Sequence, residues 1–115
     1  MALYLVGVWG GLKTMKEYLY KEDAAFFKAL ADETRLRIVE MLCHGEMCAC
    51  EILEPLNITQ PTLSYHMKVL STCGLVECRR LGSWMKYSIN KEKMKKTKEH
   101  WELCMDKGKS NLVQK

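Results

Sequence analysis

At 115 residues and 13.4 kDa the chain can close one compact core and is too short for a second. Its 48% hydrophobic and 28% charged residues are those of a globular domain and exclude a disordered chain. The formal net charge of +4 is polarised, with six basic and nine acidic side chains over 1–58, nine and two over 59–98, and three of each over 99–115.

In chain order, the apolar start Ala2–Leu12 is too short to span a bilayer and lacks both a basic leader and a small-x-small cleavage pattern. Residues 1–15 are therefore expected to be a peripheral extension, with Met15 a second plausible start, and residues 16–106 to form the domain. From Glu22 to Ala31 the chain is rich in helix formers without a breaker, and Asp32 offers a cap to the next helix. There Leu36, Val39 and Leu42, with Ile38 and Met41 alongside, predict a buried face that ends at Gly45. Cys48 to Leu53 predicts a helix of about two turns, stopped ahead of Pro55. Thr59 is then an N-cap, Pro61 falls in the first turn, and Ile58 can staple onto Leu63. Leu63, Met67 and Leu70 make one apolar stripe on an otherwise polar helix that closes at Gly74.

Period-two patterning over Leu75–Arg80 and Trp84–Ile89 predicts a β-hairpin with a two-residue turn near Gly82. Strand parity puts Val76, Cys78, Met85, Tyr87 and Ile89 on an inward face. Leu75, Glu77, Arg79, Trp84 and Lys86 fall on the other face, with Arg80 near the tip. A last amphipathic helix is expected from Lys91 to Asp106, followed by a polar tail over 107–115.

The predicted fold class is mainly α with a small β-hairpin. A short helix, a tight turn, a polar-faced helix and a basic hairpin make a winged helix-turn-helix. The net +7 of 59–98 suits a polyanion, while a solvated lysine face over Lys91, Lys93, Lys95, Lys96 and Lys98 is the competing reading. The run Phe27 to Ile38, followed in order by Cys48-Ala49-Cys50, Gln60-Pro61, Ser64-Tyr65-His66 and Gly74-Leu75-Val76, resembles the ArsR/SmtB family of metal-sensing repressors over about residues 20–105. The Cys48-Ala49-Cys50 triplet looks like its arsenical-resistance branch. The resemblance implies a homodimer joined by its terminal helices, each subunit presenting its second motif helix to the major groove of double-stranded operator DNA. Thr59, Gln60, Thr62, Ser64, Tyr65 and His66 would then face bases and phosphates, with Lys68, Arg79, Arg80 and Lys86 supplying charge.

Six cysteines without an export signal are expected to be free thiols in a cytoplasmic protein. Paired thiols select soft ions, so Cys48 and Cys50 are the expected effector site, for As(III) or Sb(III) before Cd(II), Pb(II) or Zn(II), with thiol oxidation as the alternative trigger. On an intact helix positions i and i+2 point about 200° apart, which predicts that binding must bend the first motif helix. Some relatives carry a third cysteine where this chain has Leu53, so Cys43 is the favoured third ligand, ahead of Cys73, Cys78 and Cys104. Cys73 and Cys78 read better as small buried hydrophobes, His100 as an interface histidine and Cys104 as a packed thiol rather than a metal pair across a dimer interface, and His44 as a helix-end cation. No cofactor is required for DNA binding. Without Cys-x-x-Cys, a phosphate loop, His-Glu-x-x-His or a serine elbow, no enzyme is expected.

Overall fold

The computed structural model describes residues 15–114, so most of the expected N-terminal extension lies outside the described residues. The elements are α1 (Met15–Leu30), α2 (Glu33–Cys43), β1 (Met47–Cys48), α3 (Ala49–Leu53), α4 (Gln60–Thr72), β2 (Val76–Leu81), β3 (Trp84–Ile89) and α5 (Lys91–Gln114). Met15 thus already belongs to a helix, and α5 continues past Asp106 through most of what the sequence suggests is a tail.

Local chemistry explains the helix starts. Asp32 is extended and its Oδ1 accepts the Arg35 N–H at 3.0 Å, which caps α2 and holds the Asp32 carboxyl below its ordinary pKa. Thr59 caps α4 by accepting the Thr62 N–H at 3.3 Å, and Pro61 lies in the first turn, where its missing N–H leaves no gap. Ile58 packs on the core that contains Leu63, as expected for a staple. Gly74 takes φ +84° after α4, and Gly82 takes φ +62° as the first residue of the Gly82-Ser83 turn, the glycine position of a type II′ hairpin.

Four helices and the root of the hairpin share one core. Phe26 and Ala29 of α1 meet Ile38, Val39 and Leu42 of α2, Ile52 of α3, Leu63, Met67 and Leu70 of α4, and Val76 and Ile89 of the strands. Leu36 departs from the expected stripe and is 51% exposed. Six residues separate it from Leu42, a rotation that leaves the two about 120° apart on the helix, so only Ile38, Val39 and Leu42 share the inward arc.

The sheet has three strands in the order β1-β3-β2, all antiparallel, with Met47 opposite Tyr87 and Cys48 opposite Lys86. β1, the strand added to the expected hairpin, has only two residues and leaves no period for a sequence to show. In the hairpin, Val76 opposes Ile89, Cys78 opposes Tyr87 and Arg79 opposes Lys86, the parity the sequence predicts. Burial follows that parity only at the root, where Val76 and Ile89 are buried, while Cys78 further out is exposed rather than a packed thiol. Leu75 reverses its expected placement: it precedes β2, donates its N–H to Leu70 O at 3.2 Å and is fully buried.

Helix α5 is tied to α1 by polar contacts. Lys93 Nζ donates to Glu22 Oε1 at 2.8 Å, and the buried Asp23 Oδ2 receives His100 Nδ1 at 2.8 Å and Trp101 Nε1 at 3.0 Å. Beside them, Phe26, Phe27, Leu30, Met94, Trp101 and Met105 line an open apolar groove of about 400 Å³.

Candidate functional site

Helix α3, the turn through Pro55 and Thr59, and helix α4 form the helix-turn-helix. Its outer face is set by what the stripe Leu63, Met67 and Leu70 leaves pointing away from the core. Gln60, Thr62, Ser64, Tyr65 and Lys68 are exposed there, with Thr59 at the helix start and Tyr65 at 61% exposure. These groups offer hydroxyl, amide and ammonium chemistry of the kind that reads base edges and grips phosphate.

His66 does not join them. It is buried, and its Nδ1 lies 3.0 Å from the Arg35 guanidinium, which can only donate. The same arginine donates through Nε to Ala29 O at 2.6 Å, satisfying a carbonyl in the last turn of α1. Arg35 therefore locks the end of α1, the start of α2 and the middle of α4 together, and His66 is a fastening of the recognition helix rather than a reader.

The wing carries Arg79, Arg80 and Lys86, and two of these cations are already engaged. Arg79 makes a bidentate pair with Glu46, Nε to Oε2 at 3.1 Å and NH2 to Oε1 at 2.7 Å. The pair holds the Glu46 carboxyl below its ordinary pKa and raises that of the guanidinium. Lys86 Nζ lies 4.0 Å from Glu51 Oε1. Arg80 has no acidic partner among the described residues. Between the wing and α4, Ser64, Met67, Lys68, Ser71, Cys78 and Tyr87 line a shallow depression of about 190 Å³. Burial, then the neighbouring Cys78, pushes the Tyr87 phenol up.

The thiol pair overturns the helical-phase argument. Cys48 ends β1 and is the N-cap of α3 with φ −85° and ψ 164°, so it is not on the helix at all. Its extended backbone swings the side chain toward Cys50, and the two Sγ atoms are 2.8 Å apart. No bend of α3 is needed to bring them together. Cys48 is buried and Cys50 exposed. The hydrogen bond with Cys50, then burial, raises the Cys48 pKa, so an ion must displace its proton. Glu51 returns to the cap and accepts the Cys48 N–H through Oε1 at 2.8 Å, which lowers its own pKa.

No group of three His, Cys, Asp or Glu side chains suited to a metal ion exists among the described residues, so Cys43, exposed at the end of α2, is not brought to the pair. Cys104 is exposed, and Cys73 is partly buried with its Sγ donating to Leu70 O at 3.4 Å.

Comparison with known proteins fits this arrangement. The profile of the family described as "Bacterial regulatory protein, arsR family" matches residues 32–77. An arsenical resistance operon repressor of Staphylococcus xylosus is 45% identical over 73 residues, 64% of this chain and 70% of that protein. One of Bacillus subtilis (strain 168) is 40% identical over 83 residues, 71% and 78%. The chain belongs to the ArsR family of regulatory proteins. Among solved structures, an ArsR-like transcriptional regulator from Rhodococcus sp. RHA1 superposes with a TM-score of 0.76 at 28% identity, covering 83% of this chain and 90% of that one. A homodimeric winged helix-turn-helix domain from Mycobacterium bovis gives 0.67 at 28% identity, covering 92% and 95%. This ArsR-family chain is a DNA-binding transcriptional regulator, not an enzyme. No helix among the described residues is long and apolar enough to cross a membrane.

Three residues of this ArsR-family site, Glu46, Arg35 and Glu51, escape sequence reasoning. Glu46 and Arg79 are 33 positions apart and carry no local signal of pairing. Arg35 and His66, 31 apart, are equally silent. Glu51 does carry one, the acid three residues after a cap, but cysteine at the cap hides it, since the rule looks for Ser, Thr, Asp or Asn.

Proposed function

We propose that this chain is a cytoplasmic, homodimeric repressor that holds a two-fold operator and leaves it when a thiophilic ion closes on Cys48 and Cys50. The dimer is built on the apolar groove between α1 and α5, where Phe27 and Trp101 are 47% and 40% exposed. Each subunit places α4 in a major groove, with Thr59, Gln60, Thr62, Ser64 and Tyr65 toward base edges and backbone and Lys68, Arg79, Arg80 and Lys86 toward phosphates.

The observation that carries the reading is the 2.8 Å approach of two thiols at the joint between the sheet and the helix-turn-helix. With arsenite, both S–H groups exchange with As–OH groups: two S–As bonds form, two As–O bonds break and two waters leave. Arsenite and antimonite are the favoured ions, with Cd(II), Pb(II) and Zn(II) as thiol-binding competitors. The same proximity favours a second trigger, since peroxide converts two adjacent thiols to a disulfide with loss of two waters.

The test uses a duplex selected from a random library by the ion-free protein, followed by fluorescence anisotropy. Arsenite is expected to release the protein, and Cys48→Ser or Cys50→Ser to keep it bound with operator affinity nearly intact. Release by peroxide with none by saturating arsenite would replace the metalloid reading with the oxidative one.

A further inference from the structure

We propose that Glu46 and Glu51, the acids on either side of the thiol pair, position the wing, so that ion binding at Cys48 and Cys50 reaches DNA through β1 and the wing cations. The inference rests on the thiol pair being the effector site.

Four contacts carry it. Cys48 is the register partner of Lys86, so the residue bearing the buried thiol is laddered to the wing strand β3. Lys86 is in turn the register partner of Arg79, which places both cations side by side on the outward face of the hairpin. Glu46, adjacent to β1, grips Arg79 with two hydrogen bonds at 2.7 and 3.1 Å. Glu51 Oε1 accepts the Cys48 N–H at 2.8 Å and lies 4.0 Å from Lys86 Nζ, so one carboxylate oxygen serves both the thiol-bearing residue and the wing. The acids thus clip the wing onto the two-residue strand that ends in Cys48.

Ion binding acts on that clip directly. The two sulfurs touch in the free chain, and an ion bonded to both must replace that contact. The rearrangement falls at the joint between β1 and α3. Cys48 is held by the ladder to β3, so it is Cys50 and its neighbour Glu51 that shift against Cys48, Lys86 and the wing. Glu51 Oε1 holds the Cys48 N–H at 2.8 Å and lies 4.0 Å from Lys86 Nζ, so the wing cations feel that shift. Because exposed ion pairs add little to folding stability, neutralising the acids should leave the fold intact.

The test compares wild type with Glu46→Gln/Glu51→Gln, and with Glu51→Gln alone, which keeps an acceptor for the Cys48 N–H. Ion affinity is measured by protection of thiols from a chromogenic disulfide in the presence of arsenite or Cd(II). Coupling is the ratio of operator Kd with and without ion, which cancels any change in ion-free DNA affinity. The double variant is expected to bind the ion within about threefold of wild type while its coupling ratio falls at least tenfold. Amide NMR of the DNA-free protein is expected to show ion-induced shifts spreading into β3 and β2 in wild type and stopping at β1 and α3 in either variant. A wild-type coupling ratio, or shifts that still reach β2 in the double variant, overturns the proposal. Wild-type protein whose thiols gain no protection from either ion fails the effector reading itself, and the wing inference falls with it.

Discussion

Arg35→Met tests whether the recognition helix is fastened as the structure shows. The substitution keeps much of the buried side chain's volume and removes the guanidinium, whose side chain is only 12% exposed. It leaves Ala29 O, which accepted a 2.6 Å bond, and His66 Nδ1, held at 3.0 Å, without a partner in residues that are themselves 1% and 8% exposed. A buried polar group stranded in this way costs about 1–3 kcal/mol. Two of them give a loss of about 3 kcal/mol, or roughly 12–24 °C in Tm for a domain near 100 residues. The assay is thermal and urea unfolding at one fixed protein concentration, because a dimer's Tm depends on concentration. His66→Leu in the Arg35→Met background removes one stranded group and should restore about 1–2 kcal/mol. A single-variant loss under about 1 kcal/mol, or a double variant whose cost is the plain sum of the singles, would refute the fastening.

Arg80→Ala removes a wing cation with no acidic partner among the described residues, and should flatten the salt dependence of operator binding by about 0.9 per subunit in log–log slope; an unchanged slope removes Arg80 from the phosphate contacts. Cd(II) binding to the thiol pair releases up to two protons, so its affinity should climb as pH rises, and should go on climbing beyond the ordinary thiol range because Cys48 is raised by its hydrogen bond to Cys50. Arsenite releases water instead, and its affinity should stay level between about pH 6 and 8, where free thiols remain mostly protonated; calorimetry in buffers of different ionisation enthalpy separates the two cases. Cys43→Ser should leave ion affinity unchanged, since Cys43 belongs to no cluster of three donors among the described residues, and a tenfold loss would restore it as a ligand.

The fold was legible wherever a period or a cap is long enough to leave a mark. Asp32, Thr59, Gly74 and Gly82 each stand where the backbone needs their chemistry, and the stripe Leu63, Met67 and Leu70 gives the helix-turn-helix its outer face. What stayed hidden was short or distant. A two-residue strand has no pattern, yet β1 moves Cys48 off the helix and reverses the inference drawn from its spacing. His66 sits in a run of polar residues and looks like one more reader until Arg35 arrives from another helix. Spacing specifies direction only once the local backbone is known: the same two-residue step parts side chains on a helix and brought these two sulfurs together at a strand-to-helix joint.

The charge map changes meaning in the same way. Along the chain the acids of residues 1–58 and the cations of residues 59–98 look like separate blocks. In the fold they interlock, with Glu46 on Arg79, Glu51 near Lys86 and Glu22 on Lys93. The wing therefore does not meet DNA with a full set of free charges. On the proposed reading Arg79 and Lys86 would exchange carboxylate partners for phosphates, so the operator would compete with Glu46 and Glu51, while Lys68 and Arg80 have no acid partner among the described residues. If Cys48 and Cys50 are the effector site proposed above, a binding surface whose cations are shared with β1 can be tuned by small movements there. A fully free basic patch would require the whole recognition helix to move before phosphate contacts were lost.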